Sequence, residues 1–246
     1  MNQTIKMVSR FKTDRLTARQ YINLSQSILL NLKKFHSVFE KINSWGDKPS
    51  SWTEIDSDFS NFEKVVLDHI YDKEIVYTDT VGNRTEFSLE ATSWTKFSNS
   101  YSNLKKPLEE KYLVSIGAGG DTNIGFINIE LPSRCFSDFS SIKKIIDLIL
   151  NIQNIVDLHT AYVYTNNLYD HVVDYENDYD TEIGWLNFFK DKEVLAHIPK
   201  QTSYIDTSNG IFFWLEDSIT EPTDQTITKA IDIRNSLGRL KLLYLK

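Results

Sequence analysis

The spacing of apolar residues changes period part-way along this chain, and that change limits the folds open to it. Tyr21, Leu24, Ile28, Leu32, Phe35, Phe39 and Ile42 recur three and four apart, which puts them on one face of a long helix. Trp45-Gly46 and then Pro49 supply the stop signals for that helix. From Glu74 to Leu131 the apolar residues instead alternate with polar ones between turn residues, the pattern of strands with one buried face. A chain that carries both periods in separate blocks is expected to be α+β, with a mostly antiparallel sheet and helices packed on it.

The remaining elements follow from the same rules. Ile5 to Phe11 reads as an opening strand, and Asp56 or Asp58 as the cap of a helix bearing Phe59, Phe62, Val66 and Ile70. Strands are predicted at Ile75–Thr78, between Thr85 and Thr95, at Tyr112–Ile116 and at Ile124–Leu131. A helix from Phe139 to Leu158 has apolar residues on most sides, so it is expected to be buried. Strands at Thr160–Thr165 and Glu193–Ile198, a short apolar piece at Trp185–Phe189 and a hairpin turned at Ser208-Asn209-Gly210 follow. A last helix starts near Thr223 and carries Ile227, Ile231, Leu237 and Leu240. No repeat, low-complexity tract or linker composition interrupts the series, so residues 1–246 read as a single domain.

Composition excludes several classes. Cys135 is the only cysteine, so no disulfide can form within the chain, and a cytoplasmic location is expected. The first ten residues hold no apolar core of a secretory leader, and no run of about twenty apolar residues exists to span a membrane. The five histidines lie far apart, with no pair at the spacing that aims two imidazoles at one ion. The stretch Gly117-Ala-Gly-Gly-Asp-Thr122 lacks the dinucleotide glycine pattern and precedes a strand, so a hairpin connection is expected there instead of a phosphate loop. Cys135 follows Arg134, which would lower a thiol pKa, but no base is placed beside it. No catalytic residue, metal site or cofactor is expected from these patterns.

Charge is the informative feature. The formal net charge is −7. Between Ile145 and Phe189 there is no Lys or Arg, while Asp147, Asp157, Asp170, Asp174, Glu176, Asp178, Asp180 and Glu182 are all present. That one segment is −8, and the rest of the chain sets 26 acids against 27 bases. Such a field repels nucleic-acid backbone and attracts a basic protein. If Asp174 to Ile183 is extended, Asp174, Glu176, Asp178, Asp180 and Glu182 share one face, and Tyr175 and Tyr179 take the other. Either water screens these charges as an ordinary solvated edge, or a basic partner compensates them. The candidate binding residues are therefore Asp170, Asp174, Tyr175, Glu176, Asp178, Tyr179, Asp180 and Glu182.

The order of features also resembles a known family. A long helix leading to Phe39-Glu-Lys-Ile-Asn-Ser-Trp45-Gly46, the Val114-Ser-Ile-Gly117 strand, an apolar strand ending in Leu131-Pro132, Ile183-Gly-Trp-Leu186, the Asn209-Gly210 hairpin and an amphipathic C-terminal helix are similar to the immunity protein 52 family of bacterial polymorphic toxin systems. The resemblance implies an α+β cytoplasmic protein that binds and neutralises a cognate toxin. Such toxins are often nucleases delivered by contact-dependent or type VI secretion. It carries over no catalytic residues, and it implies that Trp45, Gly184 and Trp185 hold the fold. Two other readings stay open: a non-catalytic adaptor or regulatory binding module unrelated to toxins, and an enzyme with dispersed site residues.

Overall fold

The computed structural model describes residues 4–45, 51–103, 110–177 and 179–245. It is α+β, with antiparallel strands and packed helices, as the two hydrophobic periods require. In chain order the elements are β1 (Ile5–Lys12), α1 (Ala18–Phe35), β2 (Asn43–Trp45), β3 (Thr53–Glu54), α2 (Phe62–Ile70), β4 (Tyr77–Thr78), β5 (Thr92–Ser93), β6 (Phe97–Ser102), β7 (Leu113–Ala118), β8 (Ile124–Leu131), α3 (Phe136–Phe139), α4 (Ile142–Gln153), β9 (Leu158–Tyr164), α5 (Asn166–Val172), β10 (Leu186–Phe189), β11 (Ser203–Thr207), β12 (Gly210–Trp214) and α6 (Asp224–Arg239).

Contacts cluster into two compact units, one of Met1–Ser9, Leu131–Leu150 and Leu158–Lys246, the other of Arg10–Glu130 and Asn151–Asp157. Because the chain passes between them more than once, no linker marks the division, and composition alone reads as one domain.

In the second unit the strands are ordered β8-β7-β6-β2-β3. The register is antiparallel at β7/β8, β6/β7, β2/β6 and β2/β3. The connection from β7 to β8 is the expected hairpin, and its turn uses the left-handed backbone of Gly119 and Gly120, at φ +79° and +75°. Helix α1 is capped by Thr17, whose hydroxyl accepts from the Gln20 N–H while the Gln20 side chain accepts from the Thr17 N–H. Its Tyr21 is wholly buried and donates to the Ile116 carbonyl of β7 at 2.9 Å.

Helix α1 is shorter than its apolar spacing suggested. It stops at Phe35, because His36 turns extended and its Nδ1 accepts from the Val38 N–H, starting a 3₁₀ turn over Ser37–Phe39. Phe39 and Ile42 are buried as expected but lie beyond the helix, and Trp45 belongs to strand β2. The stop signals Gly46 and Pro49 lie outside the described residues. Asp56 and Asp58 do not cap α2. Phe59 sits at φ +62° in the turn they shape, and the helix begins at Phe62.

In the first unit the order is β11-β12-β10-β9, antiparallel throughout. The β11/β12 hairpin turns at Ser208-Asn209 as the sequence indicates. Its neighbour strands supply the core: Trp185, Leu186, Phe188, Phe212 and Phe213 have no exposed surface. The helix predicted from Phe139 splits into α3 and α4 and ends at Gln153. Glu193–Ile198 is not a strand. Asp191 accepts from the Glu193 N–H and caps a 3₁₀ helix over Lys192–His197. Helix α6 starts after Thr223, whose hydroxyl accepts from the Thr226 N–H. It buries Thr226, Ala230, Ile233 and Leu237, so its inner face is rotated from the Ile227–Ile231 stripe that spacing suggested.

Candidate functional site

The candidate binding segment lies in the first unit, between α5 and β10, and it is not an extended strand. Helix α5 runs to Val172, so Asp170 lies on its last turn, exposed. Asp174 then bends the chain: its Oδ1 accepts from the Glu176 N–H at 3.0 Å and its Oδ2 from the Asn177 side-chain amide at 2.9 Å. This is the local hydrogen bonding with which Asp competes against regular structure. It breaks the two-residue alternation, so the acids do not share one face. The turn leaves Glu176 exposed and Tyr175 82% exposed.

The rest of the segment folds back onto α6 and the chain's C-terminal residues. The carboxylate of Asp174 lies 3.7 Å from the Arg234 guanidinium, with the two side chains only 16% and 12% exposed. Arg234 also donates to the Val172 carbonyl. Tyr179 packs edge-on to Tyr244 with ring centroids 5.4 Å apart, and its ring lies over Gly238. The N–H groups of Asp180 and Thr181 both donate to the Leu243 carbonyl, at 3.1 and 3.2 Å. The Asp180 carboxylate accepts from the Leu245 N–H at 2.8 Å. Glu182 is buried, and its Oε2 has no hydrogen-bond partner.

Of the eight candidate residues, then, Asp170, Tyr175 and Glu176 face solvent, while Asp174, Tyr179, Asp180 and Glu182 make contacts inside their own unit. Asp178 lies outside the described residues. The expected row of five carboxylates on one side is replaced by a strap, residues 173–183, pinned at both ends.

The electrostatics follow the geometry. Hydrogen bonds from Asn177 and from the Glu176 N–H hold the Asp174 carboxyl below the usual carboxylate range, and Arg234 adds to the effect. Burial pushes Glu182 up from 4.5 to about 7, and the neighbouring Asp174 charge adds to burial. Arg234 and the Asp174 main-chain N–H oppose that rise without cancelling it. Arg234 therefore serves two carboxylates, and its share was invisible from the acid pattern because it sits on α6, far along the chain.

Two shallow cavities flank α6. One, about 690 Å³, is lined by Asp174, Asn177, Tyr179, Asp232, Arg239 and Tyr244. The other, about 700 Å³, includes Glu216, Asp224, Thr228, Lys229 and Asp232. Lys229 donates to the Leu215 carbonyl at 2.9 Å, and burial lowers its pKa. Among the described residues, no group of three His, Cys, Asp or Glu side chains is placed to hold a metal ion. Cys135 is buried, and burial raises its thiol pKa against the smaller opposing effect of Arg134, the reverse of what the Arg134-Cys135 order suggested. Among the described residues, no helix is long and apolar enough to cross a membrane.

Trp185 is fully buried, its N–H donating to the Val163 carbonyl at 2.7 Å and its indole to the Thr165 hydroxyl at 3.3 Å. A Cβ on Gly184 would lie 2.1 Å from that same Val163 oxygen. Trp45 packs against Trp52 at 5.1 Å, with the Lys111 ammonium 4.1 Å from its ring centre.

No family model matches the chain, and no curated protein matches it. Among solved structures its fold is similar to that of the Pseudomonas aeruginosa T6SS protein PA0821. The two are 10% identical, the match covers 94% of this chain and 73% of that one, and the TM-score is 0.53. At that identity the likeness is one of fold.

Proposed function

We propose that this chain is a cytoplasmic immunity-type protein associated with a type VI secretion system, which binds a cognate toxin and neutralises it without catalysing a reaction of its own. The observation that carries this reading is the fold likeness over 94% of the chain to a T6SS protein. The resemblance of the ordered motifs to the immunity protein 52 family is what suggests the finer part, neutralisation of a toxin.

Within the chain, the turn at Asp174 is the contact surface. Its hydrogen bonds fix the backbone before any partner arrives, so little conformational freedom is lost on binding. It presents Tyr175 at 82% exposure, and a rigid aromatic of this kind is a common interface anchor. Asp170 and Glu176 stand exposed near it and would steer a basic surface into place. A nuclease domain has such a surface, because it must present cations to phosphates.

The test is co-expression with the product of a toxin-type gene encoded next to this one, followed by pull-down and a toxicity assay. Co-purification with a toxic partner is the expected result. Tyr175→Ala should then weaken the complex by about tenfold or more, and Glu176→Lys should slow association at low salt. A partner that binds but is harmless would favour the adaptor reading. Unchanged affinity in both variants would move the interface away from the turn.

A further inference from the structure

Glu182 and Asp174 close the two ends of the strap, and a single cation, Arg234, faces both. Arg234 is only 12% exposed and the Asp174 side chain 16%, and Glu182 is 7% exposed with one carboxylate oxygen unpartnered. Among the described residues, the titratable and charged groups that face Glu182 are Arg234 from α6, Asp174 and Tyr179 from the strap, and Tyr169 from α5. Only one of these four is a cation. With Glu182 neutral, Arg234 and Asp174 balance. With Glu182 ionised, two carboxylates share one guanidinium in a site poorly reached by water, and one negative charge is left without compensation.

What the strap holds is the end of the chain. Leu243 and Leu245 are tied to it by three hydrogen bonds, two from the Asp180 and Thr181 N–H groups to the Leu243 carbonyl and one from the Leu245 N–H to the Asp180 carboxylate, and Tyr244 by its ring contact with Tyr179. Thr181, which donates to Leu243, is the residue next to Glu182. The backbone that grips Leu243 is thus directly joined to the residue whose carboxylate is buried without a full set of partners.

We propose that Glu182, Asp174 and Arg234 form a proton-operated clamp, in which ionisation of Glu182 loosens the strap and frees Leu243–Leu245 from it. The clamp stands whether or not the turn binds a partner. Its sign is fixed by linkage. A carboxyl that ionises near pH 7 when clamped, against 4.5 ordinarily, favours the closed form below its ordinary value. That preference is lost as pH rises through about 7. Between pH 6 and pH 8 the opening equilibrium should shift on the order of tenfold toward the open form.

The experiment is hydrogen exchange on the full chain from pH 6 to pH 8, with rates corrected for the intrinsic pH dependence of amide exchange. Peptides covering Thr181 and the tail at Leu243–Leu245 should lose protection about tenfold over that range, while peptides from β10 stay protected. Glu182→Gln, which keeps the shape and cannot ionise, should abolish the change. Equal pH dependence in that variant, or constant protection in the native chain, would overturn the clamp. Should the variant fail to fold, carbon-13 titration of the Glu182 carboxyl in the native chain decides: ionisation in the ordinary carboxylate range, or near neutrality without loss of tail protection, refutes it.

Discussion

Tyr179 and Gly238 are so closely apposed that a Cβ built on residue 238 would lie 2.4 Å from the tyrosine hydroxyl and 2.8 Å from its Cζ. The strap lies against α6 at a position where the helix has no side chain. Two effects of opposite sign then meet at this position. Alanine favours helix over glycine by up to about 1 kcal/mol, while overpacking costs about 1–3 kcal/mol. Gly238→Ala should therefore lower stability by up to about 2 kcal/mol. In a Tyr179→Ala background the same change should be stabilising, because only the helix preference remains. Thermal melts of the four proteins check the reversal of sign.

Gly184 and Trp185 make a harder prediction. The obstacle at Gly184 is main chain, the Val163 carbonyl, which also accepts the Trp185 N–H. No side-chain rotation relieves it, so Gly184→Ala should cost about 3 kcal/mol or more by forcing β9 and the β10 entry apart. Trp185→Ala should cost about 3–5 kcal/mol. Urea denaturation measures both, and any loss of partner binding should track the unfolded fraction.

The sequence exposed the elements better than their partners. Strands β7 and β8 follow from alternation, β12 from the Ser208-Asn209-Gly210 turn signal, and α6 from its Thr223 cap. Strand β6 escaped because only Phe97 and Tyr101 of its six residues are apolar, with the buried polar Asn99 between them. Asn99 and Ser102 are buried, and they donate to the Ser44 hydroxyl at 2.9 Å and the Tyr112 carbonyl at 2.6 Å. A hydrophobic pattern does not mark a strand whose buried residues mix rings with hydrogen-bonded polar side chains. The strap failed for a related reason. Acids at alternate positions look like one face of a strand, but Asp174 captures its own following N–H and turns the chain. Arg234, the cation that explains the segment, is distant in sequence and carries no local mark.

That difference between acids can be measured. The sequence treats Asp174 and Glu176 as equivalent, but Asp174 pairs with Arg234 and organises the turn, while Glu176 is exposed. Asp174→Asn should lower the melting temperature, because it leaves a mostly buried guanidinium without its carboxylate. Glu176→Gln should stay within about 0.5 kcal/mol of the native stability, as surface changes usually do. The Asp174 carboxyl ionises below the ordinary range, so its contribution is present above the ordinary aspartate pKa and disappears as pH falls through the depressed value. A melt series from pH 5 to pH 2 should show the two variants converging toward each other at the acid end. Parallel curves would mean that the Arg234 contact is not made in solution.

Cys135 offers a test of burial that needs no substitution. It lies in a 3₁₀ turn over Ser133–Cys135 and is 5% exposed. Burial outweighs the adjacent guanidinium and raises its pKa, so both access and thiolate fraction are reduced in the native chain. Reaction with an aromatic disulfide reagent should therefore be slow in buffer at neutral pH and complete at once in denaturant. Because reaction needs only local opening around Cys135, its native rate should rise weakly with urea until global unfolding takes over. A fast native reaction with half the thiol consumed before any loss of structure would place Cys135 at the surface, and Arg134 would then be its dominant neighbour.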